Sequence, residues 1–137
     1  MTALAARIED LKLLKWFQLA GFYLFWPAVA LIVWGELTQT PIPLEAEISD
    51  KVLHFTAYFG LAGMVCLALK GERRVIPAIL GLAVLGGALE VIQGYVGRDC
   101  SLYDELANIG GAVTGAVIGW AVLRLVRPKV LAASSAS

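Results

Sequence analysis

An all-α membrane four-helix bundle, with four transmembrane helices, short loops and an N-terminal interfacial helix, is the fold class that this sequence predicts. Three observations lead there. The 137 residues are 59% hydrophobic and 16% charged, with a mean hydropathy of +0.77. A soluble domain is usually nearer half apolar and a quarter charged. The apolar residues fall into four runs, 16–35, 52–69, 75–97 and 106–126, each close to the ~20 residues that cross a bilayer at 1.5 Å per residue. The basic residues cluster between alternate runs. The length allows one domain at most, and a formal net charge of zero implies no nucleic-acid partner.

The elements follow in order. In segment 1–15, Arg7, Glu9, Asp10, Lys12 and Lys15 alternate with Leu4, Ile8, Leu11 and Leu14, which reads as an amphipathic helix on the membrane surface. Run 16–35 is longer than the apolar core of a signal peptide, and no small-residue cleavage site follows it. It reads as a spanning helix with a kink site at Pro27 and interfacial tryptophans. Segment 36–51 holds Glu36, Pro41, Pro43, Glu45 and Glu47 and reads as a loop, with Ser49 or Asp50 capping the second helix. The second run ends at a basic turn, Lys70 to Arg74. The third is long enough to tilt. Arg127, Pro128 and Lys129 are expected to stop the fourth, and the tail from 130 is expected to be disordered. Cys66 lies mid-run and Cys100 in a loop, so no disulfide is expected.

Orientation follows from the Lys and Arg residues. Nine of the 11 lie on one side of a four-span arrangement: Arg7, Lys12, Lys15, Lys70, Arg73, Arg74, Arg124, Arg127 and Lys129. Only Lys51 and Arg98 lie on the other. The positive-inside bias places both termini in the cytoplasm and the first and third loops outside.

The unusual polar residues then share one depth. Asp50, His54 and Tyr58 are spaced i, i+4, i+8 on one face of the second span, with Tyr58 about 12 Å inside at 1.5 Å per residue. Glu90 and Gln93 lie near the outer end of the third. Arg98 is in the loop, and Asp104 and Asn108 open the fourth. Such groups are costly in lipid, about 2.5–3.5 kcal/mol for a charged side chain on insertion scales. Glycines align with them: Gly86, Gly94 and Gly97 with Glu90, and Gly111, Gly115 and Gly119 with Asn108. Small residues let helices approach closely, so the simplest construction packs these two stripes together with the His54 face. That turns the polar layer inward around an outward-opening pocket.

Each residue also has a plainer role. Asp50 caps a helix. Ser101 and Asp104 fit a capping box. His54 is a hydrogen-bonded packing residue, Glu90, Gln93 and Asn108 join helices, and Lys51 and Arg98 snorkel to headgroups. The coincidence of so many at one depth favours a site.

The pieces D50-K51-x-x-H54-F55-x-x-Y58-F59, E90-x-x-Q93 and R98-x-x-x-x-x-D104-x-x-A107-N108-x-x-G111-x-x-x-G115 resemble the VanZ-like family of bacterial membrane proteins over about residues 50–120. The resemblance implies four spans in one domain, a place in a bacterial inner membrane and a family name linked to teicoplanin resistance. It implies no mechanism.

Three functions fit. In the first, Asp50, Lys51, His54, Tyr58, Glu90, Gln93, Arg98, Asp104 and Asn108 bind a lipid or cell-wall-precursor headgroup, with Arg98, Lys51 and a charged His54 on phosphate. In the second, a membrane hydrolase or transferase of a lipid-linked substrate uses His54 as base with Glu90 or Asp104. A variant has Asp50, His54, Glu90 and Asp104 holding a divalent metal. In the third, the layer only locks a structural subunit, which a homo-oligomer would suit equally. The metalloprotease H-E-x-x-H pattern, a nucleophile elbow and a phosphate-cradling glycine loop are all missing. No metal or cofactor is therefore assigned. An internal repeat, as in many transporters, is not evident either.

Overall fold

The computed structural model describes residues 3–38 and 50–132, with side chains described for 11–38 and 50–125. Ser49 and the rest of the first loop, the charges of the N-terminal arm up to Asp10, and the tail beyond Ala132 lie outside the described residues.

Four helices follow one another, α1 Ala3–Leu37, α2 Asp50–Ala68, α3 Val75–Tyr95 and α4 Leu102–Ala132. Each contains a stretch long and apolar enough to cross a membrane: Leu11–Leu37, Asp50–Ala68, Val75–Tyr95 and Leu102–Leu125. The helices outrun the apolar runs. The arm and the first run form one helix, which continues through Pro27. Glu36, expected in a loop, is in its last turn. At the far end, α4 runs past Arg127, Pro128 and Lys129 instead of stopping there. A helix end needs partners for its open backbone groups, and polar residues inside the ends do not remove them.

The partners at the end of α1 are visible. Thr38 Oγ1 donates to the Trp34 carbonyl at 2.6 Å, and the Thr38 amide donates to that of Gly35 at 3.3 Å. Gln93 Nε2 donates to the Glu36 carbonyl at 3.0 Å. Arg98 Nη1 lies 3.4 Å from the Gly35 and Glu36 carbonyls and 3.3 Å from that of Thr38. A guanidinium at this pole also meets the negative end of the helix dipole. Side chains of α3 and of the loop after it thus hold α1 helical out to Glu36.

The most extensive interface joins α2 and α4, with α1 against α2 and α3 against α4. This corrects the expected pairing of the two glycine stripes. The α4 stripe packs on α2, where a β-carbon at Gly111 would strike the Phe55 carbonyl and one at Gly115 that of Phe59. At Gly119 it would meet Cys66 Cβ at 3.0 Å. On α3, only Gly86 faces α4 closely: a β-carbon there would come within 2.6 Å of Glu105 Oε2 and 2.8 Å of Asn108 Nδ2. A small-residue stripe seeks bare backbone flanked by large side chains, and α2 offers this through Phe55 and Phe59.

Tyr58, Leu61, Ala62, Leu82 and Ala112 form the core, with Phe25, Val29, Ile32 and Ile79 packed around it. The outer faces carry Phe22, Trp26, Leu31, Leu80, Val84, Val113 and Val117, all exposed. Large apolar faces outside and a buried polar group inside are what a lipid solvent demands. Cys66 and Cys100 are both free thiols, the first buried and the second exposed.

Candidate metal centre

The last turn of α1, the first turns of α2 and α4 and the last turns of α3 meet at one end of the bundle. Among the residues they bring together, His54, Glu90, Gln93, Asp104 and Asn108 are buried. His54 stands in the middle, and its side chain is 4% exposed.

A chain of hydrogen bonds orients the imidazole. Asn108 Nδ2 donates to Glu105 Oε2 at 3.3 Å, which turns Asn108 Oδ1 to His54 Nδ1 at 3.0 Å. An amide oxygen only accepts, so Nδ1 carries a proton, and in the neutral ring Nε2 is then the nitrogen with the lone pair. On the Nδ1 side lie Glu36 Oε1 at 3.7 Å and Glu90 Oε1 at 3.9 Å. On the Nε2 side lies Asp50 Oδ1 at 3.7 Å. Asp50, His54 and Asp104 each offer one ligating atom, and these lie within 4.8 Å of one another.

That set can be tested against a metal. Oxygen and nitrogen donors bind Zn²⁺ tetrahedrally at about 2.0–2.2 Å, so two ligands of one ion lie about 3.4 Å apart. Pairs as wide as 4.8 Å close onto one ion by a contraction of up to ~1.4 Å. Asp50 is the exposed member, with a side chain 45% exposed. A ligating histidine nearly always donates its other ring N–H to an oxygen acceptor, and Asn108 supplies one. The residues therefore fit a divalent cation.

The charge balance points the same way. Among the described residues, Glu36, Asp50, Glu90, Asp104 and Glu105 have Lys51 and Arg98 as the permanent cations in ion-pair range. Lys51 Nζ is 3.2 Å from Asp104 Oδ1, close enough for an ion pair but without hydrogen-bond alignment, since that oxygen has no hydrogen-bond partner among the described residues. The lysine side chain is 54% exposed and reaches Asp104 from the rim. Arg98 Nη2 is 3.8 Å from Asp50 Oδ1 while its Nη1 caps α1. Both oxygens of Glu36, Oε1 of Glu90 and the Tyr58 hydroxyl are buried without hydrogen-bond partners among the described residues. Buried polar groups are normally paired, so these mark a site with unused acceptor capacity.

Several expected residues also do structural work here. Gln93 and Arg98 shape the end of α1. Tyr58 belongs to the core. Asp104 is not part of a reciprocal capping box, because Glu90 Oε2 accepts the Ser101 N–H at 2.9 Å in the place an acid of α4 would take. Asp104 is thereby left to face His54 and Lys51. Glu36 and Glu105 were not expected at all. The signal for Glu36 was its position directly after Gly35, at the same depth as Asp50 on the next span.

No family model, curated protein or solved structure matches this chain.

Proposed function

We propose that this chain is a metal-dependent membrane enzyme, a hydrolase or transferase acting on a lipid-linked substrate at the His54 end of the bundle. The observation that carries the reading is the convergence of Asp50, His54 and Asp104 within 4.8 Å, with the imidazole set for Nε2 ligation by Asn108. A bound divalent ion would supply Lewis-acid polarisation and an activated water. Glu36 and Glu90, with free acceptor oxygens on the other side of His54, are the residues that would take up a proton. Asp50 and Lys51 form the exposed rim where a headgroup would enter from the membrane surface.

This reading is favoured over simple capture of a headgroup phosphate. The two cations that would bind phosphate are already engaged, Lys51 with Asp104 and Arg98 with the end of α1. In the topology that the basic residues favour, this end faces outward and both termini are cytoplasmic. Membership of the VanZ-like family belongs to the same proposal, supported by the meeting of His54, Glu90, Arg98, Asp104 and Asn108.

The test is metal analysis of purified protein after dialysis against Zn²⁺, Mn²⁺ or Mg²⁺. About one ion per chain is expected for the wild type, and none for His54→Ala or Asp104→Ala, as for any closed ligand set. Equal metal content in wild type and both variants would end the proposal.

A further inference from the structure

We propose that the opposite end of the bundle holds one anionic phospholipid by its phosphate. His54 and Lys70 lie near opposite ends of α2, so this end is about 24 Å from His54 at 1.5 Å per residue. The inference is independent of the metal reading given above and shares with it only the topology that the basic residues favour.

A cavity of about 340 Å³ opens there, lined by Leu11, Leu14, Lys15, Gln18, Lys70 and Leu123. A smaller one of about 100 Å³ adjoins it, sharing Gln18 and Lys70 and adding Glu72 and Arg74. Among the described residues, together they set three cations against one carboxylate. The first is within the size range of small-molecule pockets. Half of its lining residues are leucine, which a free phosphate ion has no use for, whereas the glycerol and ester region of a lipid does. Basic pockets between spanning helices on the cytoplasmic side are suited to phosphate headgroups, and Gln18 adds an amide donor.

The backbone at Lys70 supports a built site. Lys70 has φ +54°, the only positive φ outside glycine among the described residues. The Gly71 amide donates to the Cys66 carbonyl at 2.8 Å, and the Lys70 amide to that of Leu67 at 3.1 Å. These two bonds make a Schellman motif ending α2, with Lys70 in the left-handed position where glycine is the usual and cheaper residue. A strained position held by a functional side chain is common at binding sites. Here the chain keeps a lysine at the cavity where local backbone energetics favour glycine.

That conflict gives the experiment. The full chain in detergent is titrated with dioleoyl phosphatidylglycerol or dioleoyl phosphatidylcholine, and bound lipid is counted by native mass spectrometry. The wild type is expected to retain one phosphatidylglycerol in preference to phosphatidylcholine. Lys70→Gly and Lys15→Gln should each weaken phosphatidylglycerol binding about five-fold, the effect of one membrane-surface cation. Lys70→Gly should melt no lower than the wild type, so its loss of binding is not a loss of fold; if it does melt lower, Lys15→Gln decides. Arg73→Gln, exposed on the same turn but lining neither cavity, should keep the preference. The proposal is overturned if the wild type does not discriminate between the lipids, if Lys15→Gln binds like the wild type, or if Arg73→Gln loses as much as Lys15→Gln. Full displacement of phosphatidylglycerol by millimolar inorganic phosphate overturns it too, as that identifies an ion site.

Discussion

At the scale of single residues, Asn108 governs what His54 can do. Its amide is fully buried and bridges Glu105 to the imidazole, fixing which nitrogen is free. Replacing it with leucine keeps the volume and removes the acceptor. Metal affinity of Asn108→Leu, measured by competition with a chromogenic chelator, should fall about 10–100-fold, the usual effect of losing the acceptor behind a ligating histidine. An unchanged affinity would show that the ring is oriented by something else. Most of this cluster was legible from sequence, because ionisable residues in apolar runs need partners and recur at one depth. Glu36 and Glu105 were hidden for a physical reason. Acids at the ends of apolar runs are ordinary loop residues, unless other parts of the chain cap the helix end and draw it inward. Here Gln93 and Arg98 do so for Glu36, and no local pattern around Glu36 announces partners so far along the chain.

At the scale of elements, the spans were legible in number and order, since each apolar run became a helix. Their neighbours were not. A glycine stripe shows that a helix face allows close approach, yet not which backbone approaches it. The answer, α2 carbonyls at Phe55 and Phe59, leaves no glycine signature on α2. The interface is correspondingly intolerant. Gly111→Ala and Gly115→Ala put a β-carbon against a carbonyl that cannot yield without moving a helix, and overpacking of this kind typically costs about 1–3 kcal/mol. Gly60 and Gly81 have open space where a β-carbon would go. Thermal melts in detergent should therefore drop for the first pair and stay level, or rise, for Gly60→Ala and Gly81→Ala. Equal behaviour of the two pairs would remove α2–α4 contact as the organising interface.

At the scale of the whole molecule, the two free thiols report the orientation proposed above. Cys100 is exposed in the connection at the His54 end, while Cys66 is buried beside Gly119 and Gly71. A membrane-impermeant maleimide should label Cys100 on intact cells and leave Cys66 unmodified, and Cys100→Ser should abolish labelling. Labelling that appears only after the membrane is opened would invert the topology.

The pairing of α2 with α4 also has a consequence for how the chain is made. Helices enter the membrane in order of synthesis, so α1, α2 and α3 are in place before the helix that contacts α2 most broadly exists. Until α4 arrives, His54 lacks Asn108, Glu90 lacks the Ser101 amide, and the backbone of Phe55 and Phe59 is unshielded. The nascent three-helix intermediate thus carries uncompensated polar groups at membrane depth, each costly in lipid, and depends on insertion machinery to shelter it. A chain ended after Cys100 should be degraded rapidly in pulse–chase labelling while the full chain persists. Equal half-lives would mean that the first three helices bury their polar layer by themselves.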